Sequence, residues 1–240
     1  MRSEVPQRKA LAQGLDRLNE DVRTLADLAE LSIRKAMDGL QRAETAEAEE
    51  VATLDREIYA LQLAVEKTSV DLIALHAPVA RDLRTITTCL EITTDLDRIG
   101  RYARDITEAQ VEARRLQGEQ PSQLPDLSRM GDLTIHMVDT AIRAFVNRDA
   151  ESVQDISQFD DSVDNLYDSV FHELIAAMKA GTLNPEIGVR YVLIGRYLER
   201  ISDHAVNIGK RVVYMVTGEQ PRRAAQLLRP KGPPPSGVTP

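Results

Sequence analysis

The sequence predicts an all-α protein: two tandem antiparallel three-helix bundles related by an internal repeat. Three observations lead there. Apolar residues recur in steps of three and four through six long runs, with no convincing period-2 strand pattern beside them. Aromatic residues are sparse, with three Phe, six Tyr and no Trp. Leu, Ile, Val and Ala must therefore build the core, as they do in helix-on-helix packing. The segment "DLDRIGRYARDI" from Asp95 also returns 102 positions later as "YLERISDHAVNI" from Tyr197, with Leu, Arg, Ile, Ala and Ile at matching places.

The first run carries its stripe from Leu11 through Leu18, Val22, Leu25 and Ile33 to Leu40, and the second from Val51 through Ile58 and Val65 to Leu75. Thr45 followed by Glu47, Glu49 and Glu50 reads as a cap with acids in the first turns. Pro78 reads as the first residue of the third helix, which would run from Val79 to Leu116 over ~57 Å at 1.5 Å per residue and elongate the molecule. Its stripe shifts from Val79, Leu83, Ile86 and Leu90 to Ile92, Leu96, Ile99 and Ala103, so two faces of one helix need different neighbours.

The second half repeats the plan. A fourth run holds Leu133, Met137, Thr140, Ala144 and Phe145, and a fifth runs from Ile156 through Val163 and Val170 to Ala177. Asp149, after the stop at Asn147, is expected to cap the fifth helix. Between the fifth and sixth, "GTLNPE" supplies a terminating Gly181, a capping Asn184 and Pro185 at the first helical position. The sixth run extends from Ile187 to Met215 and ends at Gly218. Gly118, Pro121 and Pro125 divide the halves, giving bundles over 8–117 and 125–218. A Pro-rich, basic tail over 219–240 reads as disordered.

Composition narrows the function classes. Against 38 acidic residues stand 30 basic ones, a net charge of −8, which argues against generic nucleic-acid binding. The single Cys89 allows no intrachain disulfide and suits a reducing compartment. The chain shows neither a membrane-spanning apolar run nor a signal-peptide pattern, so a cytoplasmic location is expected. Glu-x-x-His pairs, a P-loop and a nucleophile elbow are all missing from the sequence.

The residues that could carry chemistry are carboxylates. Glu199 and Asp203 lie one turn apart on the flank of the sixth helix, and Asp160, Asp164 and Asp168 form a matching stripe on the fifth. Facing one another, Asp160, Asp164, Glu199 and Asp203 would make one anionic patch, suited to a hard cation such as Mg, Mn, Ca or ferric iron, and partly to Zn. Chance alone gives roughly six acidic i,i+4 pairs in such a chain, so a solvated acidic face and a metal site both stand as readings. In the first half the pattern is degenerate: Asp55 is followed at i+4 by Tyr59, and Asp97 by Arg101. The repeat thus keeps the helical frame twice and the complete acid pattern once.

"LHAPVARDLRTI" (Leu75 to Ile86), "DLDRIG" and "YLERISDHAVNIGKRVVYMVTGE" (Tyr197 to Glu219) resemble the PhoU family of phosphate-transport accessory and regulatory proteins, over about Leu11 to Glu219. The resemblance implies a cytoplasmic homodimer that negatively regulates phosphate uptake and the phosphate-starvation response. It would act as an adaptor between a phosphate ABC transporter, through its ATPase, and a sensor histidine kinase. It also implies iron or zinc, or another divalent cation, at paired acid motifs. Asp160, Asp164, Glu199 and Asp203 match that motif, while Asp55 and Asp97 match only its first residue. Within "PVARDLR", Arg81, Asp82 and Arg84 form either a partner-contact surface or a solvated face above buried Val79 and Leu83. The alternative function is a metal-binding bundle with carboxylate-bridged metalloenzyme activity. A purely structural bundle is a third reading.

Overall fold

The computed structural model describes residues 4–42, 47–117, 126–154 and 156–219. It contains six α-helices in chain order: α1 (Glu4–Arg42), α2 (Glu47–His76), α3 (Ala80–Gln117), α4 (Leu127–Asn147), α5 (Ile156–Lys179) and α6 (Pro185–Thr217). There is no strand among the described residues. Helices α1, α2 and α3 pack on one another, as do α4, α5 and α6. The expected cap at Thr45, the divider at Gly118, Pro121 and Pro125, and the tail from residue 220 lie outside the described residues.

The two bundles are also fused side by side. Helices α3 and α6 pack along their lengths and α1 touches α4, so one continuous apolar core runs through both halves. This accounts for the shifted stripe of α3: one side meets α1 and α2, the other meets α6. The repeat positions Leu96, Ile99, Ala103 and Ile106, and their counterparts Leu198, Ile201, Ala205 and Ile208, are all fully buried.

Helices α3 and α6 run antiparallel, as cross-links at both ends require: Glu91 pairs with Arg211, and Glu112 with Arg190 at 2.7 Å. Near the middle, the rings of Tyr102 and Tyr197 stack with centroids 5.8 Å apart, and His204 Nδ1 lies 2.7 Å from Asp95 Oδ1. In the repeat, Asp95 corresponds to Tyr197 and Tyr102 to His204. The Tyr–Tyr and Asp–His contacts are therefore two copies of one contact about an internal two-fold axis, which passes near Ile99 and Ile201. His204 thus pins the two halves together, a role its spacing alone did not reveal.

The punctuation is mostly as the residues dictate. Asn184 Oδ1 accepts the Glu186 N–H at 2.9 Å with Pro185 beside it, and Gly181 and Gly218 take φ of 72° and 79° to end α5 and α6. In α4 the buried stripe runs Leu127, Met130, Thr134, Met137, Ala141 and Phe145; Leu133 and Thr140 sit at its edge. Two expectations are corrected. Asp149 does not cap α5: its Oδ1 accepts the N–H groups of Glu151 (2.9 Å) and Ser152 (3.3 Å), capping a separate turn at 151–154. Pro78 does not start α3, because α2 ends at His76 and Ala77 and Ala80 both take positive φ, 43° and 47°. Pro78 and Val79 therefore sit in a turn rather than on a helix.

Candidate functional site

Helix α5 approaches α6 closely because Gly195 has no side chain: a Cβ there would meet the Tyr167 ring at 3.1 Å. Val163 on α5 and Leu198 and Ile201 on α6 are fully buried, and the neighbouring acids fall on the flank of that seam. Asp160, Asp164, Glu199 and Asp203 accordingly share one electrostatic neighbourhood. Burial pushes the Asp160 carboxyl up to about 6, helped by the charges of Asp164 and Asp203 and partly offset by the Ser202 hydroxyl. Asp164 is also raised, first by burial and then by Glu199 and Asp203. Asp160 Oδ1 is buried with no hydrogen-bond partner.

The acids of α6 are differently placed. Glu199 is held by Arg196, and Asp203 by Arg200 at 3.2 Å, each one turn earlier on the same helix. Among the described residues no three His, Cys, Asp or Glu side chains converge at metal-ligating distance. The donor set nonetheless fits a hard cation. It is all carboxylate, one oxygen is orphaned, and the α5 acids carry no ion pair among the described residues. Such an ion would be held by Asp160 and Asp164 on α5, with Glu199 and Asp203 facing them on α6.

The first half has a different chemistry. Asp97 is buried, its side chain only 5% exposed, and Arg101 Nη2 lies 2.7 Å from its Oδ2. Burial raises the Asp97 carboxyl despite that arginine. Asp55 on α2 is paired across the bundle with Arg104 of α3 at 2.8 Å. Arg104 also donates to Asp105 at 3.0 Å, with Glu108 3.5 Å away in ionic rather than hydrogen-bonding geometry. Asp97 Oδ1, like Asp160 Oδ1, is buried without a hydrogen-bond partner, but here Asp55 and Asp97 each already hold a guanidinium, so these residues do not fit a metal ion. Arg104 was missed in the sequence. Its signal was the spacing, since seven residues after Asp97 is two turns along the same face.

A second feature lies at the end of the N-terminal bundle. Leu75 is 75% exposed and Val79 74%, and Leu83 is exposed as well. The expectation that Val79 and Leu83 are buried is thus corrected: Val79 lies off both helices between the αL residues Ala77 and Ala80, and Leu83 is 36% exposed on the first turn of α3. An L-residue with a Cβ in that conformation costs roughly 1 kcal/mol or more. Arg81 is exposed beside them, Asp82 is half-buried, and Arg84 lies against Gly218 at the end of α6. Of the charged triplet, then, Arg81 alone is fully open.

The geometry defines a class: an internally duplicated helical protein, with six helices among the described residues and an acid-lined seam in its second half. The PhoU domain family matches it twice, over residues 22–109 and 127–212. The phosphate-specific transport system accessory protein PhoU homologue of Clostridium acetobutylicum is 31% identical over 215 residues, covering 89% of this chain and 97% of that one. The homologue of the same description from Synechocystis is 32% identical over 217 residues, covering 90% and 95%. Two crystal structures share the fold. The phosphate transport system regulatory protein PhoU of Streptococcus pneumoniae has a TM-score of 0.80 at 30% identity, covering 87% of this chain and 98% of that one. PhoU from Pseudomonas aeruginosa has a TM-score of 0.82 at 27% identity, covering 87% and 99%. The chain belongs to the PhoU family.

Proposed function

We propose that this protein is a cytoplasmic, non-enzymatic negative regulator of phosphate uptake and of the phosphate-starvation response. It acts as a homodimeric adaptor between a phosphate ABC transporter, through its ATPase, and a sensor histidine kinase. The relatives described as transport accessory and regulatory proteins support the first part of this reading. No helix among the described residues is long and apolar enough to cross a membrane, which is compatible with an adaptor.

The observation that carries the adaptor role is the α2–α3 turn. Leu75 and Val79 stand in solvent with Leu83 partly exposed beside them, Ala77 and Ala80 are held in a strained conformation, and Arg81, Asp82 and Arg84 flank them. Solvation alone gives no reason to hold aliphatic side chains outward on a strained turn; contact with a partner does. The test is genetic. Deletion of the gene should derepress phosphate uptake and starvation genes in high phosphate, and the wild-type gene should restore repression. Val79→Glu/Arg81→Glu should fail to restore it while accumulating as folded protein. Normal repression in the deletion strain would refute the regulatory reading, and full complementation by the variant would refute the contact surface.

For the second half we propose a cation site at Asp160, Asp164, Glu199 and Asp203, taking iron, zinc or another divalent cation. The orphaned Asp160 oxygen favours it, because Asp160, unlike Asp97, has no ion pair among the described residues. The raised Asp160 also gives the metalloenzyme alternative a foothold, as a group able to exchange a proton near neutral pH. Phosphoester turnover with added metal, abolished by Asp203→Ala, would favour that alternative; we expect none.

A further inference from the structure

The two halves solve the same electrostatic problem by different means. In the repeat, Arg101 corresponds to Asp203 and Arg104 to Val206. The half that keeps its acids therefore has an acid and an aliphatic where the other half has two cations. In the N-terminal half those cations are already engaged: Arg101 on Asp97 at 2.7 Å, and Arg104 reaching from α3 to Asp55 on α2 at 2.8 Å. The acid at i+4 from Asp55 is missing too, replaced by the exposed Tyr59.

A guanidinium carries a fixed positive charge and donates in fixed directions, so it binds carboxylates as a point charge cannot. Arg104 links the acid of one helix to its neighbour, as an ion bound between α2 and α3 would. It differs in being covalently attached and always charged. Asp55 and Asp97 each carry a guanidinium, so a cation arriving from solution meets a fixed positive group already seated on each carboxylate it would need.

We propose that Arg101 and Arg104 stand in for a metal ion in the N-terminal bundle, clamping that half permanently. Cation response is thereby confined to α5 and α6. This confinement rests on the reading of the C-terminal patch given above, whereas the stand-in itself does not. The two repeats then differ in kind: one is locked by its own side chains, the other is open to occupancy from solution.

The experiment uses the full chain. In Asp164→Ala/Asp203→Ala, which empties the C-terminal patch of two acids, bound Mn2+ and Zn2+ are measured by equilibrium dialysis and elemental analysis. Adding Asp55→Asn to that variant should leave bound metal unchanged; a drop would overturn the proposal. Adding instead Tyr59→Asp/Arg101→Asp/Arg104→Val rebuilds the four-acid pattern between α2 and α3. It should gain about one equivalent of metal and raise the thermal midpoint on metal addition. A folded variant that gains none would overturn the proposal, because the arginines would then not be what excludes the ion. Wild-type protein that binds no metal would sink the C-terminal reading alone, since both comparisons are made with that patch disabled.

Discussion

The raised Asp160 carboxyl makes a quantitative prediction about stability. Its value in the folded protein is about 6, against 3.8 for the free group. The sign is opposite to that of a salt-bridged acid. A carboxyl with a higher folded value binds its proton more tightly when folded, so it costs no stability below the unfolded value. The cost grows as pH rises from about 4 to about 6 and is complete above that. The difference of roughly two units corresponds to ~3 kcal/mol at 1.36 kcal/mol per unit. Solvent reaches this half-buried group and reduces that to about 1–2 kcal/mol. Asp160→Asn removes the charge and retains the shape, so in EDTA at pH 7.5 it should stabilise the metal-free protein by that amount. For a chain of this size the melting temperature should rise by roughly 2–8 °C. Thermal unfolding followed by circular dichroism at pH 7.5, 6.0 and 4.5 checks it, and the gain should shrink steadily toward the acid end. No gain at pH 7.5, or a gain that grows on acidification, would refute the reasoning.

Other perturbations are simpler. Asn184→Ala removes the acceptor for the Glu186 N–H at the start of α6 and should cost ~1 kcal/mol in urea unfolding. Ile201→Ala opens a cavity beside the internal axis and should cost about 2–5 kcal/mol, with no second transition, because the core is continuous. Gly195→Val drives a side chain into the Tyr167 ring and should cost roughly 1–3 kcal/mol unless α5 shifts. A double-mutant cycle on Asp95→Ala and His204→Ala should show coupling of roughly 0.5–3 kcal/mol, and independent effects would mean the contact does not hold the halves together.

The parts of the fold legible in the sequence were those set by local rules. Helix periodicity located all six helices, and Asn184, Pro185, Gly181 and Gly218 marked their ends, because caps and left-handed glycines act within a few residues. The duplicated segments pointed to an internal repeat, though not to the packing of α3 on α6 that fuses both halves into one core. That depends on contacts a hundred residues apart. Val79 and Leu83 were misplaced because apolar spacing says which residues share a face, not whether anything covers that face. Two alanines in a glycine-like conformation left no trace in the pattern. At the site, the four acids were legible as a stripe. The arginines were passed over: Arg196 and Arg200 stand three residues before Glu199 and Asp203, outside the four-residue acid spacing, and in the first half Arg104 reaches across to Asp55 on another helix.

The internal two-fold axis has a consequence for ancestry. A single repeat cut free of the other would bare the side of α3 that packs on α6, so it would need a second copy of itself to be soluble. The seam therefore has the form of a homodimer contact made covalent. In a symmetric dimer every substitution appears twice, once on each side. Fusion into one chain released that coupling, so histidine could replace one ring of a tyrosine-like pair and arginine could settle where its twin kept aspartate. Division of labour between the halves became available only once they were encoded separately.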